Sequence, residues 1–245
     1  MLRILVFQHS PIDHLGVMDQ FFKEDRLTYD IVNMHTGAAL PDINRYSALI
    51  VMGGPQQTNE EDVYPWLVDE KKYIGQAIEK EKFPVLGVCL GAQLIAEVGG
   101  GRVGPMNIPE IGILDVEKLP AAYDDHLLKG FPLFSKTLQW HLNAIVELPP
   151  KAMHLMRSPI CKFQAFRIGS TVYGLQFHME IDGEMVRGTD AFPEYVLALE
   201  AQKGRGALER LAEETERYAA ELRESANLIY RNFVKIASKR KLLRE

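Results

Sequence analysis

Four short aliphatic runs, each ending in small or polar residues, constrain the fold more than any other feature of the sequence. They are Leu2–Phe7 (LRILVF), Thr28–Val32 (TYDIV), Ala48–Met52 (ALIVM) and Pro84–Val88 (PVLGV). Near-continuous apolar runs of this length fit parallel strands covered on both faces. Amphipathic patterns separate them. In His14–Lys23, Leu15, Met18, Phe21 and Phe22 share one face. In Trp66–Lys80, Leu67, Tyr73, Ile74, Ala77 and Ile78 are expected inward, and Glu70, Lys71, Lys72 and Gln76 outward. Leu90–Val98 follows its strand directly. Strand–helix–strand alternation predicts an α/β fold: a doubly wound, mostly parallel sheet with helices on both faces. Ligands of such sheets bind beyond the carboxyl ends of the strands.

From about residue 102 to 180 strands dominate: Gly112–Leu119, then Ala165–Gly169 and Thr171–Phe177 joined at Gly169-Ser170. The last third is helical and charged. Its longest pattern runs from Gly204 to Ser238, with Leu208, Leu211, Tyr218, Leu222, Ile229 and Phe233 as the apolar stripe. This organisation predicts one domain over residues 1–200, with 201–245 as its C-terminal helical extension. Apolar residues at 47% and charged residues at 25% supply a core and argue against disorder. A net charge of −5 gives no support to nucleic-acid binding. The apolar runs fall short of the ~18 residues of a membrane span. MLRILVF lacks the length and cleavage site of a signal peptide, so a cytoplasmic setting is expected. Cys89 and Cys161, the two cysteines, cannot build a disulfide framework.

Chemistry concentrates at Gly87-Val88-Cys89-Leu90-Gly91. An apolar strand runs into a small-residue turn and then a helix, the pattern of a strained elbow that lifts a nucleophile to the sheet edge. A helix N-terminus favours the thiolate, and its free N–H groups can hold an oxyanion. A buried structural cysteine is the bland alternative, and the agreement of strand, glycines and helix argues against it. A base is needed, and Leu175-Gln176-Phe177-His178-Met179-Glu180 offers one at a strand end. Residues i and i+2 of a strand share a face, so Glu180 can orient His178. Gly53-Gly54-Pro55 follows the third apolar run, and the Gly54 amide could join that of Leu90 in an oxyanion hole. Alone, Gly-Gly-Pro often marks only a turn. Cys161, in SPICKF, lacks flanking glycines and reads as packing.

Together GVCLGAQ, MGGP and GLQFHME resemble the nucleophile, oxyanion-loop and His-x-Glu motifs of the class I (triad-type) glutamine amidotransferases, whose fold is flavodoxin-like. The likeness runs from Leu2 to about Glu180 in the family's order. LVFQHSP, YPWLVDE, PEIG, QWH and QAF bring it nearest the branch similar to the amidotransferase domain of GMP synthase. The resemblance implies glutamine side-chain hydrolysis. Cys89 would be the nucleophile, His178 the proton shuttle and Glu180 its orienting group, with Gly54 and Leu90 forming the oxyanion hole. Gln93 would contact the amino-acid moiety. Leu142-Asn143 would do so partly through main chain, where the branch usually carries a small residue or Gly near Asp. Trp140 and His141 either wall the glutamine pocket or form a core aromatic beside a loop histidine. Glu110 of PEIG is expected to be structural. No metal or cofactor is implied. The residues after the triad cannot supply a synthetase domain, so an ammonia acceptor, if there is one, would lie on another chain. Two further readings stay open: a stand-alone hydrolase of γ-glutamyl peptides or related amides, and a non-catalytic binding or regulatory module.

Overall fold

The computed structural model describes residues 2–80 and 82–242. Its sheet is mixed. Strands β1 (Arg3–Gln8), β2 (Thr28–Asn33), β3 (Ala48–Val51) and β4 (Val85–Val88) come first in the chain. Then follow β5 (Arg102–Lys118), β6 (Phe134–Glu147), β7 (Met153–Arg157), β8 (Ala165–Ile168) and β9 (Val172–Leu175). They lie in the order β2-β1-β3-β4-β9-β8-β7-β5-β6. Pairing is parallel from β2 through β9 and antiparallel from β9 through β6. The expected Gly169-Ser170 hairpin joins β8 to β9, with Ile168 opposite Val172.

Side-chain alternation within the apolar runs fills two cores at once. Ile4, Val6, Ile50, Leu86 and Val88 face one side of the sheet, where α1 (Val17–Glu24) and α7 (Ala219–Leu242) pack. Leu5, Phe7, Leu49, Val51 and Val85 face the other, under α2 (Trp66–Glu79) and α3 (Leu90–Val98). The C-terminal helix is part of the first core. Tyr230 packs on Phe21 and Phe22 at 5.4 and 5.0 Å between ring centroids. Its hydroxyl donates to the Phe21 carbonyl at 3.1 Å. Aromatic pairs of this kind contribute about 0.5–1.5 kcal/mol each beyond the area they bury.

Three expectations change. The pattern from Gly204 to Ser238 is two helices, α6 (Ala207–Arg217) and α7, divided at Tyr218. Gly112–Leu119 is the end of a much longer strand, β5. Neither β6 nor β7 stands out in the sequence, and β6 shows why: its inward residues Ser135, Thr137, Gln139 and His141 are polar yet buried. Glu70, expected on the outer face of α2, is wholly buried. Between β9 and α6 the chain forms α4 (Gly183–Gly188) and α5 (Pro193–Lys203). These pack through Val186 and Leu199 against Ile111, Ile113 and Leu138 of the antiparallel half.

Candidate active site

Parallel pairing brings the ends of β1, β3, β4 and β9 to one edge of the sheet, and with them His9, Gly53-Gly54, Cys89 and His178. Cys89 joins β4 to α3 at φ 49°, ψ −106°, outside the regions an L-residue ordinarily occupies. Strain of this kind costs about 1–3 kcal/mol and persists only where surrounding contacts enforce it. Here the Cys89 N–H donates to the Leu175 carbonyl at 2.8 Å and the Gly91 N–H to the Met52 carbonyl at 3.1 Å.

Gly87 and Gly91 serve close approach. A Cβ on Gly91 would lie 2.1 Å from the Val51 carbonyl oxygen, and one on Gly87 would lie 2.5 Å from the Gly91 carbonyl. Gly91→Ala should therefore destabilise the protein by about 3 kcal/mol or more, at the upper end of overpacking costs. Gly188→Ala meets no atom within 4 Å and should be neutral or slightly stabilising. Urea denaturation of the two variants tests the pair; similar midpoints would contradict it.

β9 ends at Leu175, short of the expected Phe177, and His178 and Glu180 follow it on a bent segment whose one bridge sets His178 opposite Leu138. The His178 N–H donates to the Leu138 carbonyl of β6 at 2.8 Å. The His178 ring Nδ1 is 2.7 Å from Glu180 Oε1, while Glu180 Oε2 accepts the Met179 N–H at 2.9 Å. Cys89 lies close enough to the ring for the two to interact electrostatically. Burial alone would lower the histidine's pKa. The Glu180 carboxylate and Cys89 outweigh it and hold the ring well above the usual histidine range. A second acid, Asp13, is hydrogen-bonded by Ser10 and lies close enough to His178 for their charges to interact. Burial pushes its carboxyl upward in pKa.

A cavity of about 210 Å³ opens beside the thiol, lined by Gly54, Cys89, Leu90, Gln93, Trp140, Leu142 and Asn143. Every oxyanion and substrate residue expected from sequence thus meets here. Leu90 begins α3, so its N–H has no acceptor within the helix. Gln93 Nε2 donates to the Asn143 carbonyl at 2.9 Å and to Gln176 Oε1 at 3.2 Å. The Gln176 amide in turn lies 3.8 Å from Cys89 Sγ. His141 also walls the cavity. Trp140 stands edge-on to Tyr195 of α5, with centroids 5.8 Å apart. A second space of about 30 Å³ adjoins on the His178 side, bounded by Asp13, Ile181, Met185 and Thr189. Sequence reasoning missed Gln176, Tyr195 and Asp13 as site residues. Only Gln176 carried a signal, being two residues before His178 in the same motif.

Cys161 occupies a different setting. Its thiol is grouped with His141 and Glu110, all three buried, with potential ligand atoms within 4.8 Å of one another. Glu110 is already engaged. It accepts from the Ser158 hydroxyl and from Gln164 Nε2 at 2.6 Å, and it lies 3.1 Å from His141 Nε2. A cation would have to displace these partners. Burial first, and then the Glu110 charge, push the Cys161 thiol up to about 12, which keeps it protonated. It lines a separate cavity, with Ile108 and Ile160.

Comparison with known proteins places this geometry in a family context. The family model described as glutamine amidotransferase class-I matches residues 17–188. The glutamine amidotransferase-like protein YfeJ of Salmonella typhimurium is 31% identical over 191 residues, covering 76% of this chain and 79% of that one. A glutamine-hydrolysing GMP synthase subunit from Saccharolobus solfataricus is 30% identical over 193 residues, covering 78% and 95%. Among solved structures, a glutamine amidotransferase from Thermotoga maritima superposes with a TM-score of 0.83 at 31% identity, covering 95% of this chain and 98% of its own. Among the described residues, no helix is long and apolar enough to cross a membrane.

Proposed function

The chain belongs to the class I glutamine amidotransferases, and on that premise we propose that Cys89, His178 and Glu180 hydrolyse the side-chain amide of glutamine. With His178 holding the thiol proton, Cys89 Sγ attacks the amide carbonyl carbon. The resulting oxyanion accepts from the Gly54 and Leu90 N–H groups. Collapse breaks the C–N bond, His178 returns the proton to the departing nitrogen, and ammonia leaves. Water, deprotonated by His178, then attacks the γ-glutamyl thioester and releases glutamate and the free thiol. Glu180 holds the imidazole in the required orientation throughout. Gln93, with Asn143 and Trp140 beside it, would hold the amino-acid end of the substrate.

The observation that carries this reading is the Glu180–His178–Cys89 alignment beneath the 210 Å³ cavity. Glutamine is favoured over larger γ-glutamyl amides because the space on the His178 side, about 30 Å³, holds a water-sized leaving group. The Saccharolobus solfataricus relative carries a name that makes it one part of a glutamine-hydrolysing GMP synthase, which supports an acceptor on a separate, synthetase-type chain. The test is ammonia release from glutamine compared with release of the amine from γ-glutamyl dipeptides. The expected result is a kcat/KM for glutamine at least tenfold higher. Preference for the dipeptides would establish the stand-alone hydrolase instead, and turnover of neither above the Cys89→Ser background would leave a binding module.

A further inference from the structure

His9 lies outside the motifs to which the mechanism assigns chemistry, yet its ring is hydrogen-bonded to the oxyanion loop. It follows β1 directly and is wholly buried. Its Nδ1 is 2.8 Å from the Gly53 carbonyl oxygen and its Nε2 is 2.8 Å from Glu70 Oε1. A carbonyl and a carboxylate only accept, so each ring nitrogen carries a proton when Glu70 is ionised. Burial disfavours that charge, but Glu70 and the Gly53 carbonyl more than offset it, so the pKa is raised. Trp66 of α2 stacks on the ring at 5.7 Å between centroids and 26° between planes. The buried Glu70 that contradicts the amphipathic pattern of α2 thus has a partner 61 residues earlier in the chain.

The Gly53 carbonyl and the Gly54 N–H belong to one planar peptide unit. In a trans peptide they point in opposite directions. Gripping the carbonyl from the His9 side therefore turns the N–H away from His9. His9 also packs on the next α-carbon: a Cβ on Gly54 would lie 2.6 Å from His9 Cβ. Gly54 borders the cavity that holds Cys89. We propose that His9, anchored by Glu70, is a positioning residue that fixes the Gly53–Gly54 peptide so that its N–H meets the oxyanion. The proposal rests on the oxyanion role assigned above to Gly54.

Removing His9 alone would strand the Glu70 carboxylate in the interior, so the comparison is made in the Glu70→Gln background. His9→Leu removes the donor to the Gly53 carbonyl, whereas the His9→Asn amide can restore it at the Nδ1 position. Steady-state glutamine hydrolysis is measured for the wild type and both double variants. The expected result for His9→Leu is a kcat lowered ~10²–10³-fold, the typical cost of losing one oxyanion donor, with KM changed less than about threefold. His9→Asn should recover kcat to within about tenfold of the wild type. A His9→Leu variant that keeps its kcat, or Asn and Leu variants equally impaired in kcat and KM, would overturn the positioning role while wild-type turnover stands. A wild type that releases no ammonia would instead remove the glutaminase reading, and this proposal with it.

Discussion

Cys89→Ser should lower ammonia release from glutamine by on the order of 10⁴-fold or more, with the fold intact, whereas Cys161→Ala should leave the rate within about twofold. The size of the first effect follows from removing a covalent nucleophile while its base and oxyanion donors remain, a loss that other parts of the site cannot replace. The contrast follows from setting. Cys89 is at a helix N-terminus, interacts electrostatically with His178, and borders a cavity. Cys161 is held protonated by burial and by the charge of Glu110. Circular dichroism and a denaturation midpoint separate lost chemistry from lost structure. A large loss in Cys161→Ala, with little loss in Cys89→Ser, would transfer the chemistry to the Glu110–His141–Cys161 cluster.

Glu180→Gln should lower kcat by on the order of 10³-fold with little change in KM. Glutamine as a side chain keeps the volume but removes the charge that fixes the imidazole tautomer and supports its protonated form. The same substitution should move the His178 titration downward. In the wild type its pKa is raised, so the stability it contributes is fully present below about 6.5, the value of an unperturbed histidine. That contribution is lost as pH rises through the raised folded value. The stability gap between wild type and Glu180→Gln should therefore narrow as pH increases across this window. Imidazole titration by NMR and denaturation at a series of pH values check both statements. An unchanged His178 titration in the variant would show that Glu180 does not set the histidine's charge.

The parallel half of the fold was legible because β1, β3 and β4 are apolar on both faces. Leu5 and Ile50 announce a covered strand wherever they stand. The candidate catalytic residues were legible for a related reason. A sharp turn at Cys89 tolerates only glycine at Gly87 and Gly91, and the pairing of His178 with Glu180 is local in sequence.

What escaped depends on partners far away in the chain. β6 hides because Thr137, Gln139 and His141 point inward, and their hydrogen bonds rather than their hydropathy make them core residues; Gln139, for example, donates to Gln164 at 3.1 Å. Glu70 reads as surface until His9 is placed against it. Asp13 and Tyr195 reach the site through a loop and a late helix that no local pattern ties to Cys89. The break at Tyr218 is equally silent, since α6 and α7 continue the same charged, amphipathic composition.

Cys89 is proposed to attack a γ-glutamyl amide. A glutamine-analogue electrophile, such as a chloroketone that keeps the amino-acid moiety, tests it most directly when the labelled residue is located by peptide mass spectrometry. One label per chain is expected on Cys89, slowed by excess glutamine and reduced in Glu180→Gln, with Cys161 unmodified. Label on Cys161, or label on Cys89 that glutamine does not slow, would contradict it.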